Sequence, residues 1–256
     1  MKIATWNVNS VRAREERLLA WLERHQPDVL CLQELKVQAD AFPTLALRGL
    51  GYEAAVFGQR TYNGVAVVSR IGLEGVHTGF LAGDDDGQAR LVAATVQGLR
   101  VISAYVPNGA QVGSDKWAYK LAWLERLAGY VAEEVQRFPH LVLAGDFNIA
   151  PDDTDVRHPE RWASTVLCHP EGRAALARVQ QRGLVDLVRQ HHPAGGLYSW
   201  WDYRMLGFPK NDGLRIDHLW GTSPVAQVCT AAGVDREERK GKLASDHAPV
   251  WAELAR

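Results

Sequence analysis

The chain has 256 residues, of which 46% are hydrophobic and 23% are charged, and its formal net charge is −1. This balance is typical of a soluble globular protein with a sizeable core, and it excludes a global electrostatic attraction to a polyanion. A nucleic-acid substrate would therefore require the basic residues to be concentrated on one face.

Cysteine usage and the N-terminal residues bear on location. Cys31, Cys168 and Cys229 lie far apart without CxxC spacing, which argues against a zinc site or a disulfide framework and fits a reduced cytoplasm. Met1 and Lys2 run directly into a predicted strand, so we expect no export signal, no membrane partner and a cytoplasmic protein. Since no Pro/Gly/Ser-rich linker interrupts residues 1–256, a single domain is expected, and we expect a monomer.

Short β-like runs recur through the chain, with amphipathic helical stretches between some of them. In chain order, strands are predicted at Ile3–Val8, Val29–Gln33, Glu53–Phe57, Val65–Ser69, Leu91–Val96, Val101–Val106, Leu141–Phe147, Tyr198–Trp201, Arg215–Trp220, Gln227–Ala231 and Val250–Leu254. Helices are predicted at Arg14–His25, Trp117–Arg137 and Glu171–Arg182. Because the helices are too few for strict β-α-β alternation, mixed sheets covered by a few helices fit better than a doubly wound parallel sheet.

Polar residues stand at the ends of several apolar strands, where a rigid scaffold can present them to a cleft. They fall in the segments Trp6-Asn7-Val8-Asn9, Leu32-Gln33-Glu34-Leu35-Lys36, Tyr105-Val106-Pro107-Asn108, Gly145-Asp146-Phe147-Asn148, Gly213-Leu214-Arg215-Ile216-Asp217 and Ser245-Asp246-His247-Ala248-Pro249. Together and in this order, these segments resemble the motifs of the exonuclease III and abasic-endonuclease family, within the endonuclease-exonuclease-phosphatase superfamily. The resemblance implies an α+β fold, a four-layer α/β sandwich in which two mixed β-sheets pack face to face with helices outside.

The resemblance also implies metal-dependent phosphodiester hydrolysis, which needs a cation to neutralise phosphate charge. Glu34 offers a hard oxygen of the kind that Mg²⁺ prefers, and Mn²⁺ is a possible substitute. Asn7 and Asn9 could add amide oxygens, and Asp246 is expected near the metal. Because Asn9 stands where some family members have Asp, we expect a hydrated, weakly held ion.

Two pairs of residues are expected to act on the phosphate. Asp146 and Asn148 lie two apart on a strand-like run, so their side chains should point the same way. By resemblance, Asp146 orients or deprotonates the attacking water and Asn148 donates to the phosphate, although a Gly-Asp-x-Asn segment is often only an Asx turn.

Asp217 and His247 form the second pair. Their separation by 29 intervening residues is consistent with an Asp–His hydrogen bond between adjacent strands. Such a bond raises the His pKa and makes His247 either a phosphate clamp or the base, and we favour the clamp. Tyr105 is expected to donate to a phosphate oxygen, the alternative being a core tyrosine bonded to a backbone carbonyl.

DNA contacts must come from local groups of residues. Arg236, Arg239, Lys240 and Lys242 precede Asp246, and further basic residues, Arg90, Lys116, Lys120, Arg204, Lys210 and Arg215, fall in or beside predicted site loops. Of the adjacent Trp200 and Trp201, one should be buried and the other should face the cleft, where it could stack on a deoxyribose or base. By alignment with the family, Trp200 and Leu214 line a pocket for an extruded abasic sugar.

The predicted function is that of a Mg²⁺-dependent DNA-repair phosphodiesterase. Its expected partner is double-stranded DNA, cut 5′ to abasic sites or trimmed at 3′ ends by exonuclease or 3′-phosphatase action. The main alternative is a superfamily phosphoesterase with another substrate, such as a nonspecific nuclease or an inositol or lipid phosphatase. A binding module that has lost catalysis would require erosion of Glu34, Asp146, Asn148, Asp217 or His247, all of which are present.

Overall fold

The computed structural model describes residues 1–80 and 87–255, and their strands form two sheets of six. The first sheet has the order β11-β12-β1-β2-β4-β3. Its strands are β1 (Lys2–Asn7), β2 (Val29–Gln33), β3 (Glu53–Phe57), β4 (Val65–Ser69), β11 (Cys229–Val234) and β12 (Val250–Leu254). The second sheet has the order β5-β6-β7-β8-β10-β9. It comprises β5 (Glu74–Thr78), β6 (Leu91–Val96), β7 (Leu99–Tyr105), β8 (Leu141–Asp146), β9 (Leu184–Asp186) and β10 (Asp217–Thr222).

Both sheets are mixed. β1 and β2 are parallel in the first sheet, β7 and β8 are parallel in the second, and the remaining neighbours are antiparallel. The two parallel pairs therefore deliver four strand ends to one edge of the molecule, which is where the site residues lie.

The described helices are α1 (Glu15–His25), α2 (Thr44–Gly49), α3 (Asp115–Arg137), α4 (Pro159–Trp162), α5 (Pro170–Gln180), α6 (Leu187–His191) and α7 (Ser223–Val228). Four of them, α1, α2, α3 and α5, cover the outer faces of the sheets, whereas α6 and α7 pack into the core between the sheets. The longest, α3, begins two residues before its predicted start because the Ser114 hydroxyl accepts a hydrogen bond from the Trp117 amide, which caps the helix. None of the described helices is long and apolar enough to cross a membrane.

Alternation along the strands divides the apolar residues among separate layers. Side chains such as Ile3 and Val67 from the first sheet pack against Val92 and Val142 from the second. On its outer face the second sheet packs under α3 and α5, and the first sheet packs under α1 and α2. The predicted four-layer sandwich of two mixed sheets is confirmed.

The differences from the predicted elements have simple causes. Tyr198–Trp201 is not a strand, since Trp200 makes only isolated bridges, to Leu214 and to His247. Two short edge strands were not predicted, because β5 is largely exposed with little apolar alternation and β9 has three residues. Gln227–Ala231 was also placed too early, since α7 continues to Val228 before β11 begins.

Candidate active site

Strand register brings the polar residues together at one edge. In the first sheet Asn7 lies opposite Gln33, directly before Glu34. In the second sheet Asp146 lies between Tyr105 on β7 and Asp217 on β10. The two sheets face each other, so these side chains converge on a single cleft.

Asp146 is the buried carboxylate at the centre of this cleft. Its Oδ2 accepts a hydrogen bond of 2.8 Å from Asn7 Nδ2, and its Oδ1 accepts one of 2.9 Å from the Asn148 amide. Burial raises the pKa of Asp146, and the nearby charge of Asp217 adds to this shift, while His247 opposes it. The carboxyl group is therefore more basic than an ordinary aspartate, as a group that accepts a proton from water should be.

Asn148 reaches Asp146 by a different route from the one predicted. Strand β8 ends at Asp146, and Asn148 has a φ of 50°, so the two residues are not on one strand face. The backbone N–H of Asn148 donates to Asp146 Oδ1 and so forms an Asx turn. This turn directs the Asn148 side chain back towards Asp146. Its Nδ2 then donates to Asp146 Oδ2 at 3.3 Å and to the Val106 carbonyl at 3.0 Å. The turn is thus part of the site.

His247 and Asp217 form a buried pair. His247 Nδ1 lies 2.8 Å from Asp217 Oδ2, and His247 Nε2 lies 3.8 Å from Asp146 Oδ2. Burial alone would lower the pKa of His247, but the charges of Asp217 and Asp146 raise it. The imidazole is therefore held as a cation beside Asp146.

The expectation that this pair joins adjacent strands was wrong. Asp217 begins β10 in the second sheet, whereas His247 precedes β12 in the first. Ser199 supports the pair, and sequence reasoning missed it. Its hydroxyl donates to Asp217 Oδ2 at 2.7 Å and accepts from the Asp217 amide at 3.0 Å. A serine in a loop carries no signal of this role except its position beside Trp200.

Oxygen ligands suited to a divalent cation line the neighbouring part of the cleft. Glu34 is partly exposed, and Asp246 accepts hydrogen bonds from Asn9 Nδ2 at 2.9 Å and Trp200 Nε1 at 3.0 Å. The amide oxygen of Asn9 accepts from Lys36 Nζ at 2.6 Å, and that of Asn7 accepts from the Asn9 amide at 2.9 Å. The two carboxylates are therefore the stronger candidates for a hard cation, and Asn9 holds Asp246 in place.

Lys36 is a second residue that the sequence analysis overlooked. Its ammonium lies 3.6 Å from Glu34 Oε1 as well as against Asn9. A positive charge there partly neutralises the carboxylate, which fits the expected weak hold on a metal ion.

The ligand atoms of Asp146, Asp217 and His247 also lie within 4.8 Å of one another, close enough to hold a metal ion. However, the raised pKa of His247 favours the imidazolium, which has no free lone pair for a metal. Asp217 Oδ2 is shared between Ser199 and His247. This triad is therefore better suited to a phosphate than to a cation.

Tyr105 is buried at the end of β7. Burial raises the pKa of its phenol far above the usual value, and the charge of Glu34, to which the hydroxyl hydrogen-bonds, adds to the shift. The phenol therefore stays protonated and can donate. Arg90 stacks over the Tyr105 ring at 4.9 Å, and a groove of about 600 Å³ opens here between Glu34, Tyr105 and Lys116.

The structure corrects several of the predicted DNA contacts. Lys120, Trp201, Leu214 and Arg215 are all buried, so none of them can touch DNA directly. Leu214 instead packs beneath Trp200. Arg215 is held by Asp155 and Asp186, and Trp201 packs against Phe208. The sequence predicted surface contacts for these residues, but each of them is buried among apolar neighbours or bonded to partners inside the protein.

Other predicted contacts remain at the surface. Arg204 is exposed and paired with Asp202, and Arg90 lines the groove.

Trp200 is partly exposed, as expected for one of the two adjacent tryptophans, and Trp162 packs edge to face against it at 5.6 Å. Of the basic run before Asp246, Arg239 is buried over the Tyr203 ring, and Lys240 pairs with Glu237.

Comparisons with known proteins agree with this geometry. Residues 4–247 match the model of the endonuclease/exonuclease/phosphatase family. The chain is 36% identical to exodeoxyribonuclease III of Haemophilus influenzae, over 99% of this chain and all of that protein. Among solved structures, a 3′-5′ exonuclease from Neisseria meningitidis superposes with a TM-score of 0.98 at 44% identity, and an AP endonuclease from Archaeoglobus fulgidus with 0.96 at 37%, each over the full length of both chains.

Proposed function

The chain belongs to the endonuclease/exonuclease/phosphatase family, and from this premise we propose that it is a DNA-repair hydrolase that cleaves phosphodiester and phosphomonoester bonds of DNA. One observation carries the proposal: the buried Asp146 carboxylate lies beside the Asp217–His247 pair, next to a group of oxygen ligands. This arrangement supplies a water-directing carboxylate and a cationic phosphate clamp in a cleft open to solvent.

Each residue of the cleft would have a distinct task. Asp146 orients the attacking water and accepts its proton, since its raised pKa makes it a competent base. His247, kept cationic by Asp217, binds a non-bridging phosphate oxygen. Tyr105 keeps its proton and turns its O–H from Glu34 to donate a hydrogen bond to a phosphate oxygen, and Asn148 steadies Asp146 through its Nδ2.

We propose Mg²⁺ as the cofactor, with Mn²⁺ able to replace it. The donor set supports this choice, because the partly exposed Glu34 and Asp246 offer hard carboxylate oxygens, to which the buried Asn7 would add an amide oxygen. Bound there, the ion would neutralise charge on the phosphate.

The proposed substrates are double-stranded DNA with abasic sites and with 3′ ends. A 3′ phosphatase from Neisseria with a closely similar fold has been solved with a product DNA hairpin, and the similar protein of Archaeoglobus fulgidus is an AP endonuclease. The indole of Trp200 donates a hydrogen bond to Asp246, which fixes its orientation. We propose that this ring forms one wall of a pocket for a sugar or terminal nucleotide. A phosphatase for inositol phosphates or lipids is disfavoured, because the relatives described above act on DNA.

We further propose that residues 1–256 form one catalytic domain that acts as a monomer in the cytoplasm. The family match over residues 4–247 supports the first point. Three buried, unbridged cysteines fit a reducing compartment.

The test is incubation with three duplexes that carry an internal abasic analogue, a recessed 3′ end and a 3′ phosphate, each with and without Mg²⁺. We expect metal-dependent product from at least one duplex, and the ratio among the three defines the balance of activities. No reaction on any duplex at any Mg²⁺ or Mn²⁺ concentration would refute the proposal.

A further inference from the structure

Lys120 is a fully buried lysine that projects from α3 behind the candidate active site. Its Nζ donates to three backbone carbonyls, those of Asn108 at 3.0 Å, Asn148 at 2.8 Å and Val166 at 2.8 Å. An ammonium has three protons, so each one has an acceptor. A neutral amine has two protons and would turn a lone pair towards the third carbonyl.

The three carbonyls belong to three separate loops, and the ammonium contacts all three of them at once. The loop after β7 carries Asn108, whose Nδ2 donates to Asn148 Oδ1 at 3.1 Å. The loop after β8 carries Asn148 itself, with its left-handed backbone and its hydrogen bonds to Asp146. The loop between α4 and α5 carries Val166, which packs in the same cluster as Trp200. One cation thus ties together the chain segments on three sides of the site.

The surroundings are shaped to admit the lysine. Gly109 has a φ of +92°, and a Cβ added there would come 2.9 Å from Lys120 Cδ and 3.2 Å from the Trp117 ring. The glycine therefore leaves the channel through which the lysine stem passes. The ammonium also lies 5.6 Å from the centroid of the Trp117 ring, a favourable place for a cation.

From this geometry we propose that the Lys120 ammonium is a positioning residue of the reaction, one that locks the Asn148 backbone so that Asn148 holds Asp146, and that loss of its proton releases the lock. The inference rests on the proposed function of the site. Lys120 touches no reacting atom and acts through Asn148.

The electrostatics place this release near neutral pH. Burial lowers the pKa of Lys120 to about 7, opposed by the charges of Asp146 on β8 and of Cys168 in the loop between α4 and α5. Cys168 contributes little, because burial raises the pKa of its thiol to about 11 and keeps it neutral. The ammonium form is therefore complete on the acid side of neutrality and is lost as the pH rises.

The first experiment compares wild type, Lys120→Met and Lys120→Gln, with Gln136→Met, an exposed position on the same helix, as the matched control. Activity on the preferred DNA duplex is measured between pH 6 and 10. We expect Lys120→Met to lower kcat by at least about 10-fold at pH 6.5 with KM within a few-fold, and to remove the alkaline fall in kcat that wild type shows between about pH 7 and 9. Lys120→Gln should restore part of kcat but no alkaline fall.

A direct titration of the wild-type protein covers the case in which the variants fail to fold. Selective ¹⁵N labelling of lysine follows the Lys120 Nζ signal by NMR, and its midpoint should coincide with the alkaline fall in kcat. An unshifted midpoint near that of ordinary lysines, or a kcat profile that Lys120→Met leaves unchanged, overturns the proposal. Absence of DNA cleavage by wild type would instead refute the proposed function, so the two failures are distinguishable.

Discussion

His247 Nδ1 and Asp217 Oδ2 lie 2.8 Å apart although Asp217 begins β10 in one sheet and His247 lies in the loop that leads to β12 in the other. Their bond links the two sheets at the site, and it fixes which imidazole nitrogen faces Asp146. The integrity of the site therefore depends on how the two sheets sit against each other.

Asp217→Asn tests this pair through its pH dependence. The folded pKa of His247 is raised, so the pair stabilises the protein fully below the ordinary histidine pKa, and this stabilisation is lost as the pH rises through the raised value. We expect the difference in unfolding free energy between wild type and Asp217→Asn to be largest in mildly acidic solution and to shrink in alkaline solution. Urea unfolding at a series of pH values measures it. A difference that grows with pH would contradict the assignment, and His140→Asn, at an exposed position, provides the control.

Asp146→Asn should lower kcat by on the order of 100-fold or more, because the amide cannot accept the proton of the attacking water. DNA affinity should stay within a few-fold, since Asp146 is buried and contributes no outward charge. Single-turnover cleavage and a binding titration in the absence of metal separate the two quantities. Asp40→Asn, an exposed aspartate, is the matched control. Cleavage by Asp146→Asn at a near-wild-type rate would show that Asp146 has no catalytic role.

Glu34→Ala should raise the Mg²⁺ concentration needed for half-maximal activity, with partial rescue at high Mg²⁺, because the site would lose one of its two carboxylates. Lys36→Met should act in the opposite direction, since its ammonium lies 3.6 Å from Glu34. Metal titrations of both variants, followed by activity and by the Mg²⁺-dependent shift in melting temperature, test the pair. Curves that superimpose on wild type would show that the ion binds elsewhere.

Trp200→Ala should remove roughly 1–3 kcal/mol from the cleavage of abasic DNA by loss of stacking, and it should affect removal of a 3′ phosphate less. Trp200→Phe is the companion variant, because it keeps a ring while losing the indole N–H that holds Asp246. Trp201→Phe, at a fully buried position, should instead lower the melting temperature and reduce both activities alike. Equal losses in both activities together with a lowered melting temperature for Trp200→Ala would give Trp200 a core role.

The sequence predicted the fold and the gathering of the site because the signals were local. Strand-end residues such as Asn7, Asp146 and Asp217 follow apolar runs whose alternation already indicates strands. Once the parallel pairs form, register alone places Tyr105 beside Asp146. The family resemblance supplied the pairing of the two sheets, which no local pattern contains.

What the sequence could not predict depends on contacts between distant segments. A lysine on a predicted helix beside site loops is expected to be a surface charge, yet Lys120 is buried because three carbonyls from separate loops converge on it. Similarly, nothing in the segment around Ser199 indicates that its hydroxyl bonds Asp217, 18 positions away. Such roles depend on tertiary contacts, which residue type and spacing in the sequence do not reveal.

The cleft joins residues that lie very far apart along the chain. Asn9 bonds Asp246 across 237 positions, and Asn7 bonds Asp146 across 139. Strand β12, which follows His247, is inserted between β11 and β1, so the first strand, already beside β2, gains its second neighbour only when the last strand arrives. Long-range pairings of this kind form late in folding. A partly folded chain would therefore lack an assembled active site, and only the fully folded nuclease would be able to cleave DNA.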